Sequence, residues 1–94
     1  VPPAFGLDQN HPNPFNSSAV IRFYLPQSEE VGLAVYNLAG QQVVPLANGP
    51  HLAGVYTVRW DGRNEADREL ASGPYIYRLL VGEQTETRKL LLLR

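Results

Sequence analysis

The sequence predicts an all-β protein, a single antiparallel sandwich of two sheets. Short runs in which apolar and polar residues alternate recur along the 94 residues, and each is closed by glycine, proline, asparagine or aspartate. Alternation with a period of two is typical of half-buried strands. No stretch keeps the spacing of an amphipathic helix, so strands account for the regular structure that we expect.

The first clear strand covers residues 19–25, where Ile21, Phe23 and Leu25 share one face. Pro26 ends it, because proline has no N–H to donate to a neighbouring strand. A second strand over residues 31–37 turns at Gly40, which supplies the positive φ of a tight turn, into a third over residues 41–46.

Three further strands follow, after a loop marked by the sequence NGP at residues 48–50. They are predicted over residues 55–60, 75–81 and 85–93, and residues 5–8 are a candidate short edge strand. About seven strands at this spacing indicate a sandwich of immunoglobulin or fibronectin type III class. Trp60, which shares a face with Tyr56 and Val58, is the expected central aromatic residue of the core.

The length of the chain allows one domain, and its composition argues against several classes of function. We assign residues 1–4 to a linker remnant and residues 5–94 to the sandwich, and expect an excised part of a longer protein because no signal peptide is present. The net charge is −1 with scattered basic residues, which argues against nucleic-acid binding. Without a 20-residue apolar run, membrane insertion is not expected.

The sequence offers little for catalysis or for a cofactor. His11 and His51 lie in predicted loops, and no nucleophile elbow or phosphate-binding glycine motif occurs. The acidic residues between positions 61 and 69 are interspersed with arginines and lack a calcium-loop spacing. We therefore expect no enzyme, cofactor or metal, with a structural calcium ion as the minor alternative for this loop. A sugar-binding platform would need Tyr24 and Tyr36, the aromatic pair expected to be exposed.

The last strand carries leucines on both faces. Leu90 and Leu92 alternate with Leu91 and Leu93, so either a bulge shifts the register or both faces are covered. The strand is then either only the last strand of the core or an edge on which a partner docks.

Six short motifs, in a fixed order, together carry a resemblance to known families. In chain order they are LDQNHPNPFN at residues 7–16, IRFYLP at 21–26, VGLAVYNLAG at 31–40, WDGRN at 60–64, SGPYIYRL at 72–79 and TRKLLLLR at 87–94. The chain thereby resembles the type A C-terminal sorting domains of the bacterial type IX secretion system, and equally the immunoglobulin-like domain of flagellar hook-capping proteins. His11 departs from the usual tyrosine and Ser17 from the common proline.

The resemblance implies a non-catalytic C-terminal domain that directs a larger cargo protein, such as a secreted enzyme, through the periplasm to secretion or to the cell surface. Its implied partners are the cargo fused to its N-terminal side, an outer-membrane translocon and a sortase-like peptidase. The alternatives are a structural immunoglobulin-like spacer of hook-cap type and, third, a carbohydrate-binding module.

Two segments are the candidates for partner recognition. The first is the Asn-Pro-Phe loop at residues 13–15, which prolines hold in a fixed conformation, and in which Phe15 is either a surface group or a plug for the end of the sandwich. The second is the end of the last strand, residues 89–94, which offers a partner a strand edge and a basic tip. The candidate residues are Asn13, Pro14, Phe15, Lys89, Leu90, Leu91, Leu92, Leu93 and Arg94.

Overall fold

The computed structural model describes residues 5–93, which form seven strands in two sheets. The predicted strand ending at Leu25 has its expected bounds, and the edge strand near the N-terminus is only two residues long. The strands are β1 (Gly6–Leu7), β2 (Ala19–Leu25), β3 (Glu29–Tyr36), β4 (Gln42–His51), β5 (Gly54–Trp60), β6 (Gly73–Val81) and β7 (Gln84–Leu92).

The two sheets have the strand orders β1-β2-β5 and β4-β3-β6-β7, and all named pairs are antiparallel. This arrangement confirms the predicted immunoglobulin-like sandwich of about seven strands. Consecutive strands β2 and β3 lie in different sheets, as do β4 and β5. The same holds for β5 and β6, so the chain crosses between the layers at residues 26–28, 52–53 and 61–72.

The core lies between the sheets and is built from the alternating positions of the strands. Ile21, Phe23 and Leu25 are all at most 1% exposed, and the inward positions of β3 and β6 are buried in the same way. Trp60 is buried as predicted, with its ring 5.5 Å from Phe15 and 5.7 Å from Tyr75 between centroids. Apolar burial of this kind is the main term that holds a sandwich together.

Two tyrosines at the beginning of strands bond back to the chain that precedes them. The hydroxyl of Tyr75 donates to the carbonyl of Ala71 at 2.8 Å, and that of Tyr56 donates to Leu52 at 2.6 Å. A tyrosine near the start of a strand whose hydroxyl bonds to the backbone a few residues upstream, as Tyr75 of β6 does, is typical of immunoglobulin-like sandwiches. It fixes the loop before the strand to the strand itself.

The boundaries of β4 differ from the prediction. The strand continues past Leu46 through the glycine and proline of residues 48–50, which were expected to form a loop. It is an edge strand with two register shifts against β3, and Gly49 has a φ of 106°. Glycine and proline fit such a strand because an edge needs fewer backbone bonds than a central position.

The last strand has a regular register against β6 from Gln84 to Leu92, without a bulge. Leu90 and Leu92 face the core, Leu91 is half-buried and Leu93 is 48% exposed. Of the two explanations for leucines on both faces, a bulge is therefore wrong. In the part of the chain that the structure describes, no helix is long and apolar enough to cross a bilayer.

Candidate partner-recognition surface

The proline-rich loop and the end of β7 are joined by backbone hydrogen bonds. The N–H of Phe15 donates to the carbonyl of Leu91 at 3.0 Å, and the N–H of Leu93 donates to the carbonyl of Phe15 at 2.8 Å. These bonds form a short parallel bridge between Phe15 and Leu92. The two segments that the sequence singled out separately therefore form one structure, which we call the terminal clasp (residues 9–16 with residues 88–93).

Side chains of the loop complete the bonding along this edge. Asn13 accepts a hydrogen bond from the N–H of Leu91 through its Oδ1 at 3.1 Å, and Gln9 donates from Nε2 to the carbonyl of Lys89 at 2.7 Å. An unpaired strand edge can pair with a strand of another chain, and these bonds occupy the edge of β7 at Lys89 and Leu91 with groups of the same chain. A partner that recognises this region would therefore contact the loop and β7 together.

The clasp is anchored in the core through a buried tyrosine. The hydroxyl of Tyr77 accepts from the backbone N–H of Asn10 and donates to the carbonyl of Asp8, both at 2.7 Å. Asn10 is 1% exposed, and its Nδ2 donates to the carbonyl of Pro12 at 2.9 Å. Burial raises the pKa of Tyr77 to about 12, so its hydroxyl keeps its proton at neutral pH.

Gln9, Asn10 and Arg88 lie in the motifs at residues 7–16 and 87–94, but neither they nor Tyr77 were among the nine candidate residues. Arg88 donates from Nε to the carbonyl of Leu7 at 2.8 Å and so ties β7 to β1. The one available signal was a tyrosine at an inward position of β6, since a buried phenol hydroxyl needs a partner. The sequence does not reveal which backbone groups, some 67 residues away, supply the bonds.

Phe15 is part of the core. Its side chain is 2% exposed and packs against Trp60, which agrees with the plug, one of the two alternatives that the sequence left open, and not with a surface group. Leu90 and Leu92 are likewise buried. In the folded domain, a partner can therefore contact these three residues only at their backbone groups and not at their side chains.

The accessible part of the clasp is smaller than the nine candidates suggested. Asn13, Pro14 and Lys89 are exposed, and Leu93 is exposed by about half. Leu91 is half-buried, and Arg94 lies outside the described residues. Leu93 also borders a shallow groove of about 470 Å³ whose other lining residues are Pro12, Pro14, Phe15 and Asn16.

The two X-Pro peptide bonds of the loop, His11-Pro12 and Asn13-Pro14, are cis. Backbone bonds in both directions connect His11 to Val20 at 3.1 and 2.9 Å, so the loop is fixed to β2 before it reaches β7. The loop therefore joins the middle strand of the three-stranded sheet to the edge strand β7 of the other sheet.

The acidic loop that follows β5 is organised by arginine. Arg63 lies 3.7 Å from Asp61 and 3.9 Å from Asp67, and its carbonyl accepts the indole N–H of Trp60 at 2.9 Å. Asp61 also accepts the N–H of Arg63 at 3.2 Å, as expected for an Asp-Gly turn. Among residues 5–93, no three acidic or histidine side chains are grouped to hold a metal ion.

The aromatic pair expected to be exposed does not form one platform. Tyr24 is 38% exposed on β2, whereas Tyr36 lies half-buried on β3, in the other sheet, with the Arg78 guanidinium 4.3 Å from its ring centre. A sugar ring could therefore not stack on both tyrosines.

The comparisons with known proteins agree with this fold. A family model described as the FlgD Ig-like domain matches residues 11–83. No curated protein matches the sequence.

Several solved structures contain a domain of similar shape. The crystal structure of dimeric latent PorU from Porphyromonas gingivalis superimposes with a TM-score of 0.71 and 19% identity, over 95% of this chain and 9% of that chain. PorZ, described as an essential bacterial surface component of the type IX secretion system of the same organism, gives a TM-score of 0.64 and 13% identity, over 92% and 11%.

A third similar structure is the alkylpurine DNA glycosylase AlkC of Pseudomonas fluorescens, with a TM-score of 0.54 and 15% identity over 97% of this chain and 31% of that chain. At these identities the likeness is one of fold. The chain spans about a tenth of the length of PorU and PorZ, so it corresponds to one small part of such proteins.

Proposed function

Because the chain belongs to the FlgD Ig-like domain family, we propose that it is a non-catalytic module which directs a larger protein through the type IX secretion system. Residues 5–94 are the C-terminal sorting domain in this proposal, and residues 1–4 are the end of a linker to the cargo. The cargo, for which a secreted enzyme is the expected kind, is secreted or held at the cell surface after passing through the periplasm.

The observation that carries this proposal is the terminal clasp. A sorting signal must present a fixed surface, and the loop and β7 are held together by three bonds that involve Asn13, Phe15, Leu91 and Leu93. The exposed groups on that fixed backbone are Asn13, Pro14, Lys89 and Leu93. A translocon would bind these groups, and a sortase-like peptidase would cleave the linker between cargo and domain.

The similarity to PorZ supports the same context. PorZ is described as a surface component of the type IX secretion system, and one part of it shares the fold of this chain. The resemblance of the motifs, including the last one at residues 87–94, points to the sorting domains of that system.

A structural immunoglobulin-like module of hook-cap type is the second candidate. The match to the FlgD Ig-like family covers residues 11–83 and ends before β7 begins at Gln84. A spacer or interaction module needs a stable sandwich but no particular contact at the end of β7. The two candidates therefore differ in whether the exposed side chains of the clasp matter.

An export experiment tests the proposal. A fluorescent protein carrying a signal peptide is fused in front of residues 1–94 and produced in a bacterium with a type IX system and in its translocon-deficient mutant. We expect the reporter in the medium or on the cell surface only with the fusion and only in the first strain. If the fused reporter stays in the periplasm as the unfused one does, the sorting function is wrong and the structural module remains.

Matched variants locate the signal. Leu93→Asp places a charge on the exposed side of the clasp, whereas Leu52→Asp places one on a residue that is 75% exposed in the loop between β4 and β5. We expect Leu93→Asp to reduce export severalfold and Leu52→Asp to leave it unchanged. Equal export of both variants would contradict recognition at the clasp.

A further inference from the structure

Within residues 5–93, each sheet ends in two edge strands, and the described chain protects three of these four edges at least in part. The end of β7 from Lys89 onward is covered by the proline-rich loop, the Arg88 side chain of β7 bonds to the carbonyl of Leu7, and β1 is only two residues long. β4 contains Pro45 and Pro50, has two register shifts, and its Val43 carbonyl accepts the N–H of Glu65 at 3.2 Å. Covering loops, short strands, prolines and bulges are the usual means by which proteins prevent strand addition.

The fourth edge, β5, has none of these features. It pairs with β2 in an unbroken register over seven residues, Gly54–Trp60, and contains no proline. It is rich in β-branched and aromatic residues, which favour an extended conformation. A regular strand of this length is a template for a further strand.

The direction of the free backbone groups follows from the alternation of the ladder. On β2, Val20 and Arg22 bond toward the side of β1, so the odd-numbered residues of β2 bond to β5. Those residues pair with the even-numbered residues of β5. The N–H and C=O groups of Val55, Thr57 and Arg59 therefore point to the open edge, and none of them has a backbone partner within residues 5–93 beyond the sheet.

The side chains near this edge divide into an apolar end and a cationic end. Val55 is 55% exposed and lies opposite Tyr24 on β2, while Thr57 lies opposite Arg22. Arg59 and Arg22 are exposed on the same outer face, and no described carboxylate forms an ion pair with either. On the inner face, Tyr56 and Val58 are only half-buried, because β5 has no further neighbour in its sheet.

We propose that β5 is a docking edge for an extended, acidic segment of a partner polypeptide, which adds to the sheet as an antiparallel strand. A carboxylate of this segment would face Arg59, an apolar side chain would face Val55, and alternate residues would cover Tyr56 and Val58. The choice of an acidic partner follows from the two unpaired arginines. A second copy fits less well, because self-pairing would bring four arginines onto one outer face without an acid.

This surface is independent of the proposed sorting function, since it lies on strands other than those of the clasp. A binding assay with purified 94-residue chain therefore tests it without export. The probe is a blocked nine-residue peptide with threonine and valine in alternation, in which the two positions opposite Arg59 and Thr57 are glutamate, since Thr57 is the neighbour of Arg22 in the sheet. One control peptide has lysine at those two positions, and another keeps glutamate but is N-methylated at the residues whose N–H groups face β5.

Binding is followed by amide chemical shifts in NMR titrations. We expect the glutamate peptide to shift the amides of Val55, Thr57 and Arg59, and to bind at least tenfold more tightly than either control. The lysine peptide tests the charge and the N-methylated peptide tests the backbone ladder. Equal binding of the glutamate peptide and either control would overturn the proposal.

Two substitutions make the test independent of the peptide chosen. Arg59→Glu should reverse the preference, so that the lysine peptide binds more tightly than the glutamate peptide. Thr57→Pro removes an outward N–H without removing a bond to β2 and should abolish binding, whereas Thr57→Val should retain it. Unfolding curves for each variant confirm that it folds.

Self-association is the competing outcome. If sedimentation velocity shows that the 94-residue chain dimerises, and Thr57→Pro but not Thr57→Val dissolves the dimer, then β5 pairs with a second copy and the acidic-partner proposal is wrong. A monomer that binds the glutamate peptide supports it.

Discussion

The hydroxyl of Tyr77 lies 2.7 Å from the backbone nitrogen of Asn10, a residue 67 positions earlier in the chain. The same hydroxyl donates to the carbonyl of Asp8, so a single side chain of β6 satisfies two backbone groups of the N-terminal segment. Asn10 lies at the beginning of the proline-rich loop of the terminal clasp. The position of the clasp therefore depends on a contact inside the sandwich.

Tyr77→Phe should destabilise the domain by about 1–3 kcal/mol, because it leaves the buried N–H of Asn10 and the carbonyl of Asp8 without their partner. Urea unfolding monitored by Trp60 fluorescence measures the change. Tyr75→Phe is the matched control, since it removes one bond to the carbonyl of Ala71 at the end of a loop. An equal or smaller loss for Tyr77→Phe than for Tyr75→Phe would show that the bonds to the N-terminal segment add nothing.

Phe15→Ala should cost about 3–5 kcal/mol, the range for truncating a buried aromatic residue. Its ring is 2% exposed and packs against Trp60, so truncation leaves a cavity beside the central aromatic residue. Leu38→Ala, at a residue that is 60% exposed, should change the free energy of unfolding by less than about 0.5 kcal/mol. A loss below about 1 kcal/mol for Phe15→Ala would mean that the ring does not plug the sandwich.

Most of the sandwich could be predicted from the sequence because its strands are amphipathic in the simplest way. The alternation at Ile21, Phe23 and Leu25 reports burial directly, and Pro26 marks the end of that strand. The full extent of β4 could not be predicted in this way. Its end passes through glycine and proline residues that form loops in most contexts and remain in a strand here because β4 is an edge.

The clasp was predictable in its parts and not as a whole. Both segments stood out in the sequence, but only the three-dimensional structure shows that Phe15 bonds to Leu91 and Leu93. Such contacts join residues far apart in sequence, and no local pattern encodes them. For the same reason, the uncovered edge at β5 follows from sheet order and from what covers the other edges.

Asn13→Ala should release one amide of the clasp. The Oδ1 of Asn13 accepts the N–H of Leu91, and without it this amide should exchange with solvent faster, with a loss of about 0.5–1.5 kcal/mol of protection. Hydrogen exchange followed by NMR measures the effect at this residue. Asn13→Asp keeps an acceptor oxygen and should retain the protection, and Asn16→Ala, at an exposed neighbour, serves as the second control. Unchanged exchange at Leu91 in Asn13→Ala would contradict the bond.

The stability of the domain should fall between about pH 10 and pH 12 through Tyr77. Burial raises its pKa from 10.0 to about 12, so in this interval the unfolded state has released the proton that the folded state still binds. Stability from this group is therefore complete below pH 10 and lost as pH rises, with a slope of at most about 1.4 kcal/mol per pH unit. Urea unfolding at a series of pH values, compared with Tyr77→Phe, isolates the effect, because the other tyrosines titrate in both proteins. The difference in stability between the two proteins should shrink from pH 10 to pH 12, and a difference that stays constant would mean that Tyr77 titrates normally in the folded domain.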